Sequence, residues 1–462
     1  MIRLFKHYVP HVVLWIALIE FGLLVGCAEA GWVVRIWQLG SQVAPIQTRF
    51  VPLLSFAAGL QLAMFAVGAY GPQALQSMRF AAARLLVAIP LGLLLLAIMF
   101  FLVPELTLWR SNSIYAMAAA FVVLMLFRML FAGMIGDQVF KRRIMVLGAG
   151  RRAERIRDLA RVPGASFLVV GYVGMTADAP RITSAIHRDA IESLAEHVVN
   201  LNAGEVVLAL DERRNALPLA DLLRIKTTGV DVHELSSFFE RETGRVDLDS
   251  VNPSWLIFSD GFSSGQRLSK IAKRVFDLVA SLLLLVLSAP LILLFALAVK
   301  LESRGPAFYR QMRVGLYGVE FPILKLRSMR QDAEVAGKAV WAEKDDPRIT
   351  RIGAIIRKLR IDELPQVWTV LTGHMSFVGP RPERQQFVTD LEAKLPYYAE
   401  RHMMKPGITG WAQINYPYGA SLDDARHKLE YDLYYAKNYT PFLDLLILLQ
   451  TVRVLLWNDG AR

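Results

Sequence analysis

Residues 278–299, LVASLLLLVLSAPLILLFALAV, run for 22 positions without a charge. A bilayer crossing takes about 20 apolar residues, so this stretch alone ties the chain to a membrane. Four further apolar blocks fill the first third, at about 12–34, 50–70, 85–104 and 114–135, and 54% of the chain is hydrophobic. A multi-pass membrane protein is the expectation. The single cysteine, Cys27, excludes a disulfide within the chain and any multi-cysteine metal site.

The flanking charges set an orientation. Arg3 and Lys6 precede the first block, Arg79 and Arg84 lie between the second and third, and 141-KRR-143 follows the fourth. The alternate loops carry only Arg35, Arg49 and Arg110. Counting positive charges puts the N-terminus and everything after residue 140 in the cytoplasm. The run 24-LVGC-27 looks like a lipoprotein cleavage box and 28-AEA-30 like a signal-peptidase site, but Glu20 and the apolar continuation 32-WVVRIW-37 argue that the first block is retained. Glu20 itself is a costly mid-membrane carboxylate; pairing with another helix or protonation is the expected state.

The charge-free block is different. Lys273 and Arg274 precede it while Lys300 and Arg304 follow it, so both of its ends ask to be cytoplasmic. Pro290 removes a helical hydrogen bond at its middle, and Ser288 is a candidate to satisfy the freed backbone. A re-entrant helix over 275–301, dipping into one leaflet and returning, meets both demands; a kinked span is the alternative.

Between these regions the composition becomes mixed. The segment 143-RIMVLGAG-150 reads as a buried strand entering a glycine turn, 151-RRAERIRDLARV-162 as the helix behind it, and 167-FLVVGYVG-174 and 205-EVVLALD-211 as further strands. This is a Rossmann-like βαβ rhythm. Gly148, Gly150 and Ala153 fit G-x-G-x-x-A, but the acid expected after the second strand is replaced by Gly-Met-Thr. A structural or regulatory module is therefore expected, with Arg151 and Arg152 placed to hold some anion. The organisation expected is a four-helix transmembrane domain at 1–140, a Rossmann-like domain at 141–262, and a mainly α domain at 267–462 that carries the re-entrant helix.

The net charge of +11 points to an anionic ligand or lipid; no stretch resembles a nucleic-acid module, and none is expected as a partner. Residues 304–360 hold 13 Lys or Arg against 6 acids. Arginines bind phosphate bidentately, which suits a diphosphate substrate. Immediately after them stands 357-RKLRIDELPQVWTVLTG-373. Leu364, Val367, Trp368 and Leu371 form a helical apolar face, placing Asp362 near the N-cap and Pro365 in the first turn. A carboxylate there is expected to be held ionised by the helix dipole and the arginines. Neighbouring helical residues point about 100° apart, so Asp362 and Glu363 cannot both address one atom. One suits a nucleophile on phosphorus and the other a Mg²⁺ ligand. The C-terminal run 441-PFLDLLILLQTVRVLLW-457 fits either an interfacial helix or a packed core helix.

From about residue 267 onward the chain resembles the bacterial sugar transferases, the monotopic polyprenyl-phosphate sugar-1-phosphate transferases of exopolysaccharide assembly. The likeness rests on 305-GPAFYRQMRVG-315, 325-KLRSM-329, 348-RITRIGAIIRKLRIDELPQVWTVLTG-373, 376-SFVGPRP-382, 405-KPGITGWAQIN-415 and 431-YDLYYAKNYTPFLD-444. The architecture before residue 265 resembles the large-form members. The resemblance implies attack on a UDP-sugar at the cytoplasmic face of the bacterial inner membrane, release of UMP, and transfer to undecaprenyl phosphate through an aspartyl intermediate. It assigns the nucleophile role to Asp362, the Mg²⁺ role to Glu363 and phosphate binding to Arg357 and Arg381. Lys325, Arg327 and Gln413 follow as substrate candidates. The family's membrane break is often Ser-Pro, whereas this chain has Ser288-Ala289-Pro290.

Two other classes compete. A membrane-tethered NAD-dependent nucleotide-sugar dehydratase would use Tyr-x-x-x-Lys, and no tyrosine here has a lysine four residues on. A noncatalytic scaffold leaves the Asp-Glu pair without a purpose. A Rossmann-like module lacking an evident cofactor could instead pair subunits into a homodimer.

Overall fold

The computed structural model describes residues 2–457 apart from 5–6, 41–44, 72–73, 76, 136–140, 163, 176–180, 212–216, 252–266, 331–347, 418 and 420. Lys338 and Lys344 of the basic segment, and the boundary drawn from sequence at 262, lie outside them. The chain divides into two compact units, the bulk of the first being Tyr8–Thr243 and of the second Gly244–Arg462.

Among the described residues, five helices are long and apolar enough to cross a membrane. Four belong to the first unit: α1 (His11–Leu39), α2 (Ile46–Ala66), α3 (Met78–Leu102) and α4 (Arg110–Ile135). Each starts earlier than its apolar block, because a helix continues into polar flanks that still satisfy its backbone. Small residues let these helices approach closely. A Cβ on Gly31 of α1 would lie 2.8 Å from the Asn112 carbonyl of α4, and one on Gly92 of α3 would meet a Leu60 methyl of α2 at 2.7 Å. Outward-facing side chains such as Leu86, Leu94, Leu126 and Leu130 are exposed, as apolar residues facing lipid must be. Glu20 is fully buried, and Arg128 of α4 grips it with Nε at 2.7 Å and Nη2 at 3.1 Å. The helix-paired state expected for this carboxylate is the one found.

The same unit contains a five-stranded parallel sheet. Its strands are β1 (Arg142–Leu147), β2 (Phe167–Gly174), β3 (Ile186–His187), β4 (Glu205–Leu208) and β5 (Asp231–Glu234), in the order β3-β2-β1-β4-β5. Helix α5 (Arg151–Ala160) follows the glycine turn. Both sheet faces are covered, which is why β1 is apolar without alternation. Ile144 and Val146 pack with Ile156 and Phe238 on one side; Met145 and Leu147 pack with Leu194 and Ile225 on the other.

The second unit opens with residues 246–251, whose Val246, Leu248 and Val251 sit in its main core beside Trp411, Tyr434 and Leu443. The division between the two units falls at Gly244, where the sequence composition has no break. Next comes α6 (Arg267–Glu302). It is followed by an antiparallel hairpin, β6 (Phe308–Val314) and β7 (Glu320–Leu326), paired in register from Phe308↔Leu326 to Val314↔Glu320. Then follow α7 (Arg351–Lys358), α8 (Gln366–Leu371), β8 (Ser376–Val378) and α9 (Gln385–Lys394). Strand β9 (Gly407–Thr409), α10 (Trp411–Asn415), α11 (Leu422–Asn438) and α12 (Pro441–Trp457) complete the unit. Helix α12 buries Leu443, Asp444 and Ile447 in the core while Leu445, Leu455 and Leu456 stay exposed. Of the two readings of this segment, one face is core.

Both ends of α6 are fastened to the same unit. Near its start, Lys273 Nζ donates to Asp444 Oδ2 at 2.6 Å and to the Val378 carbonyl at 3.0 Å. Arg274 donates to the Val370 and Leu371 carbonyls, each at 2.8 Å. Asp277 accepts from Ser376 Oγ at 3.0 Å and from Phe377 N–H at 3.1 Å. At the other end Val299 packs with Leu326, Ile356 and Ile361, with Leu364 against them. Glu302 accepts from the Ile352 N–H at 3.1 Å. Pro290 frees the carbonyl four residues before it, but Ser288 Oγ donates to Leu284 O at 2.5 Å and so does not satisfy that group. Back-bonding of this kind bends helices.

Candidate active site

The Asp-Glu pair does not begin an α-helix. Ile361–Glu363 form a 3₁₀ turn, and α8 starts only at Gln366, after Pro365. The turn is launched by Arg360, which holds a left-handed φ of 54°. Residues other than glycine rarely adopt that conformation, and such strain gathers at functional sites. Here it swings the chain out of α7 so that Asp362 and Glu363 leave the helix axis.

The two carboxylates then meet different surroundings. Lys325 of β7 donates to Glu363 Oε1 at 3.1 Å, Arg381 Nη2 donates to the same oxygen at 3.0 Å, and Arg360 Nη1 lies 3.8 Å from Oε2. Burial alone would raise the Glu363 pKa, but Arg381, Lys325 and Arg360 outweigh it and hold this carboxyl well below the usual range. Asp362 behaves oppositely. Its burial, then the negative charge of Glu363, push its pKa above the ordinary value, with Lys325 and Arg357 opposing. The cations favour Glu363 over Asp362, on which Lys325 and Arg357 only partly offset burial and the neighbouring charge. Lys325 is pushed down by burial, partly offset by Glu363.

Of the residues singled out from sequence, Lys325, Arg357, Asp362, Glu363 and Arg381 converge. Arg327 does not. It is buried, and its guanidinium donates to the Arg304 carbonyl at 2.7 Å, the Ser303 carbonyl at 2.8 Å and Ser303 Oγ at 2.9 Å, capping the end of α6. Gln413 lies on α10, where Nε2 donates to the Ile408 carbonyl at 3.1 Å, and its buried Oε1 has no hydrogen-bond partner among the described residues.

Other residues hold the Pro380–Glu383 loop that carries Arg381. Buried Arg401 donates to the Arg381 carbonyl at 2.9 Å and is itself gripped by Asp432 at 2.8 Å and Tyr398 OH at 2.7 Å. Arg313 donates to the Pro382 carbonyl at 3.1 Å, and Val314 N–H donates to the Glu383 carbonyl at 2.8 Å. Behind the loop, a Cβ on Gly379 would lie 2.1 Å from the Lys405 carbonyl. That close approach of 376-SFVGPRP-382 to 405-KPGITG-410 requires glycine. Sequence reading missed Arg313 and Arg401, because nothing local marks an arginine whose partner is distant; their places inside the quoted motif blocks, or beside them, were the available signal.

A family model for bacterial sugar transferases matches residues 268–458. A UDP-N-acetylgalactosamine-undecaprenyl-phosphate N-acetylgalactosaminephosphotransferase of Aeromonas hydrophila is 42% identical over 241 residues, 52% of this chain and 56% of that protein. A UDP-glucose:undecaprenyl-phosphate glucose-1-phosphate transferase of Caulobacter vibrioides is 45% identical over 195 residues, 41% of this chain and 72% of that protein. One of the same description from Xanthomonas campestris pv. campestris is 33% identical over 327 residues, 68% of this chain and 66% of that protein. The match to the Aeromonas protein therefore spans little more than half of its length. With the matched region enclosing the whole carboxylate turn and its cations, the chain belongs to the bacterial sugar transferase family.

Proposed function

We propose that this chain transfers a sugar 1-phosphate from a UDP-sugar to undecaprenyl phosphate, releasing UMP, as the initiating step of exopolysaccharide assembly. The observation that carries the reading is the division of labour in the 361–363 turn, where Glu363 takes the cations and Asp362 is left as the less shielded carboxylate. An Asp362 oxygen attacks the β-phosphorus of the donor; the bond to the bridging oxygen breaks and UMP leaves with its electron pair. A phosphate oxygen of undecaprenyl phosphate then attacks the same phosphorus, and the Asp362 carboxylate is released. Arg381 and Lys325, which flank the pair through Glu363, would stabilise the charge that develops on the phosphoryl oxygens.

Mg²⁺ fits the donor chemistry at Glu363. It is a hard cation commonly held by one or two carboxylates together with phosphates and water. Glu363 Oε2, with Arg360 no nearer than 3.8 Å, is the oxygen that would hold it. When bound, the ion would supply neutralisation of the donor diphosphate.

The reading puts the site at the cytoplasmic face of a bacterial inner membrane, and the charges flanking the apolar segments support that orientation. The fastening of α6 at both ends supports a re-entrant path. Arg274 reaches Val370, and Val299 packs in the cluster that Leu364 joins. About 25 residues of straight helix would span ~37 Å, while the roughly six residues from Leu364 to Val370 span only ~9 Å as helix. A helix that bends between the two ends would satisfy both contacts, which supports this path.

The test is a panel of UDP-sugars offered with undecaprenyl phosphate to the full chain in nanodiscs, with UMP release as the readout. Glucose and N-acetylgalactosamine donors separate the alternatives that the relatives represent, and galactose extends the panel. A donor labelled in the sugar phosphate should leave label on the wild type and none on Asp362→Asn. Turnover by folded Asp362→Asn would overturn the assignment.

A further inference from the structure

The glycine turn 148-GAG-150 lies where a Rossmann-like sheet receives the pyrophosphate of a dinucleotide, at the N-terminus of the first helix. In the order β3-β2-β1-β4-β5 the direction of winding reverses between β1 and β4, and the ligand crevice lies off the carboxyl ends of those two strands. Asp211, three residues beyond the end of β4, is there. Its Oδ2 accepts from the Arg151 N–H at 2.9 Å and its Oδ1 from the Arg152 N–H at 3.1 Å. These are two of the opening amides of α5, which have no partner within the helix. Arg152 Nη1 also donates to the Leu210 carbonyl at 2.8 Å, fastening the segment that delivers the carboxylate.

The glycines agree. A Cβ on Gly150 would stand 1.8 Å from Asp211 Oδ2. In a dinucleotide site this glycine lets the backbone approach a phosphate; here it lets the backbone approach the chain's own carboxylate. The acid that would hold a ribose does not stand at the end of β2, where the sequence reads Gly-Met-Thr.

We infer that Asp211 is the built-in anion of this module: it occupies the pyrophosphate position, so the module folds around its own carboxylate and takes no dinucleotide. Arg151 and Arg152, expected from sequence to hold an anion, hold an internal one through their backbone amides. The domain therefore does no NAD chemistry, whatever the second unit catalyses.

The experiment is hydrogen exchange of the full chain in nanodiscs, followed at residues 150–154. Asp211→Gly should speed exchange there by roughly tenfold, in line with the loss of a helix cap, and inorganic phosphate should restore protection in the variant while leaving the wild type unchanged. NAD(H) and NADP(H) should leave both exchange and melting temperature of the wild type unaltered. Wild-type rates in Asp211→Gly, or saturable dinucleotide protection of this turn in the wild type, would overturn the inference. Asp211→Asn, which keeps one side-chain oxygen, covers the case in which the glycine variant does not fold: it should give a smaller rise, and no rise at all would count against the inference.

Discussion

Lys325 Nζ hydrogen-bonds Glu363 Oε1 at 3.1 Å, from near the end of a hairpin strand to the end of a strained turn. Together with Arg381 on the same oxygen, that contact favours the ionised form of Glu363 over that of Asp362.

The first consequence is a pH profile. Ionised Asp362 is the attacking form, and its raised pKa places the acid limb of single-turnover UMP release above the ordinary aspartate range. Glu363→Gln removes the adjacent negative charge and frees Lys325 and Arg381 to face Asp362, so both effects lower its pKa. The limb should move to lower pH even though the rate falls. An unmoved limb would show that Glu363 does not set it.

Stability responds with the opposite sign. Glu363 is depressed in the folded state relative to its ordinary value of 4.5. Its contribution is therefore complete above about pH 4.5 and is lost as pH falls below that value. Lys325→Met should flatten this acid-side loss in thermal unfolding between roughly pH 5 and pH 3; an unchanged slope would contradict the pairing.

Arg381→Ala should raise the KM for the UDP-sugar about tenfold or more, the scale of losing a charge-assisted hydrogen bond of ~1.5–3 kcal/mol. Kinetics equal to wild type would remove Arg381 from the donor site. Arg401→Lys should do the same more weakly, since it disturbs only the carbonyl of Arg381 and not its guanidinium.

In the membrane helices, Glu20→Gln leaves Arg128 buried beside a neutral partner. Removing one member of a buried pair costs about 3–5 kcal/mol, whereas replacing both by apolar residues is often neutral. Glu20→Gln should sharply lower the unfolding temperature in detergent, and Glu20→Leu with Arg128→Leu should recover most of it. The transfer rate per folded molecule should not change; a selective loss of rate would give Glu20 a role beyond fastening α1 to α4.

For α6, single cysteines at 270 and 303 in a Cys27→Ala background should both react with an impermeant reagent from the cytoplasmic side. Reaction from opposite sides would establish a simple span.

Much of this protein was legible in the order of its residues. The apolar blocks, the βαβ rhythm and the Asp362-Glu363 pair follow from periodicity and local chemistry, because burial of one helix or strand face is a local demand. The boundary at Gly244 was not legible, since Val246 and Leu248 look like any short apolar run until Trp411 and Tyr434 are placed beside them. Arg327 misled for the same reason: a cation near the site reads as a ligand until its partners, the carbonyls closing α6, are known.

By itself the sequence determined that a membrane anchors this chain, that a parallel α/β module sits between apolar segments, and that two carboxylates stand among cations. Only the tertiary structure decided which carboxylate those cations neutralise, and which anion the glycine turn embraces. A charge's partner and its burial are set by groups far apart along the chain, and the strength of their interaction depends on distances that no local pattern encodes.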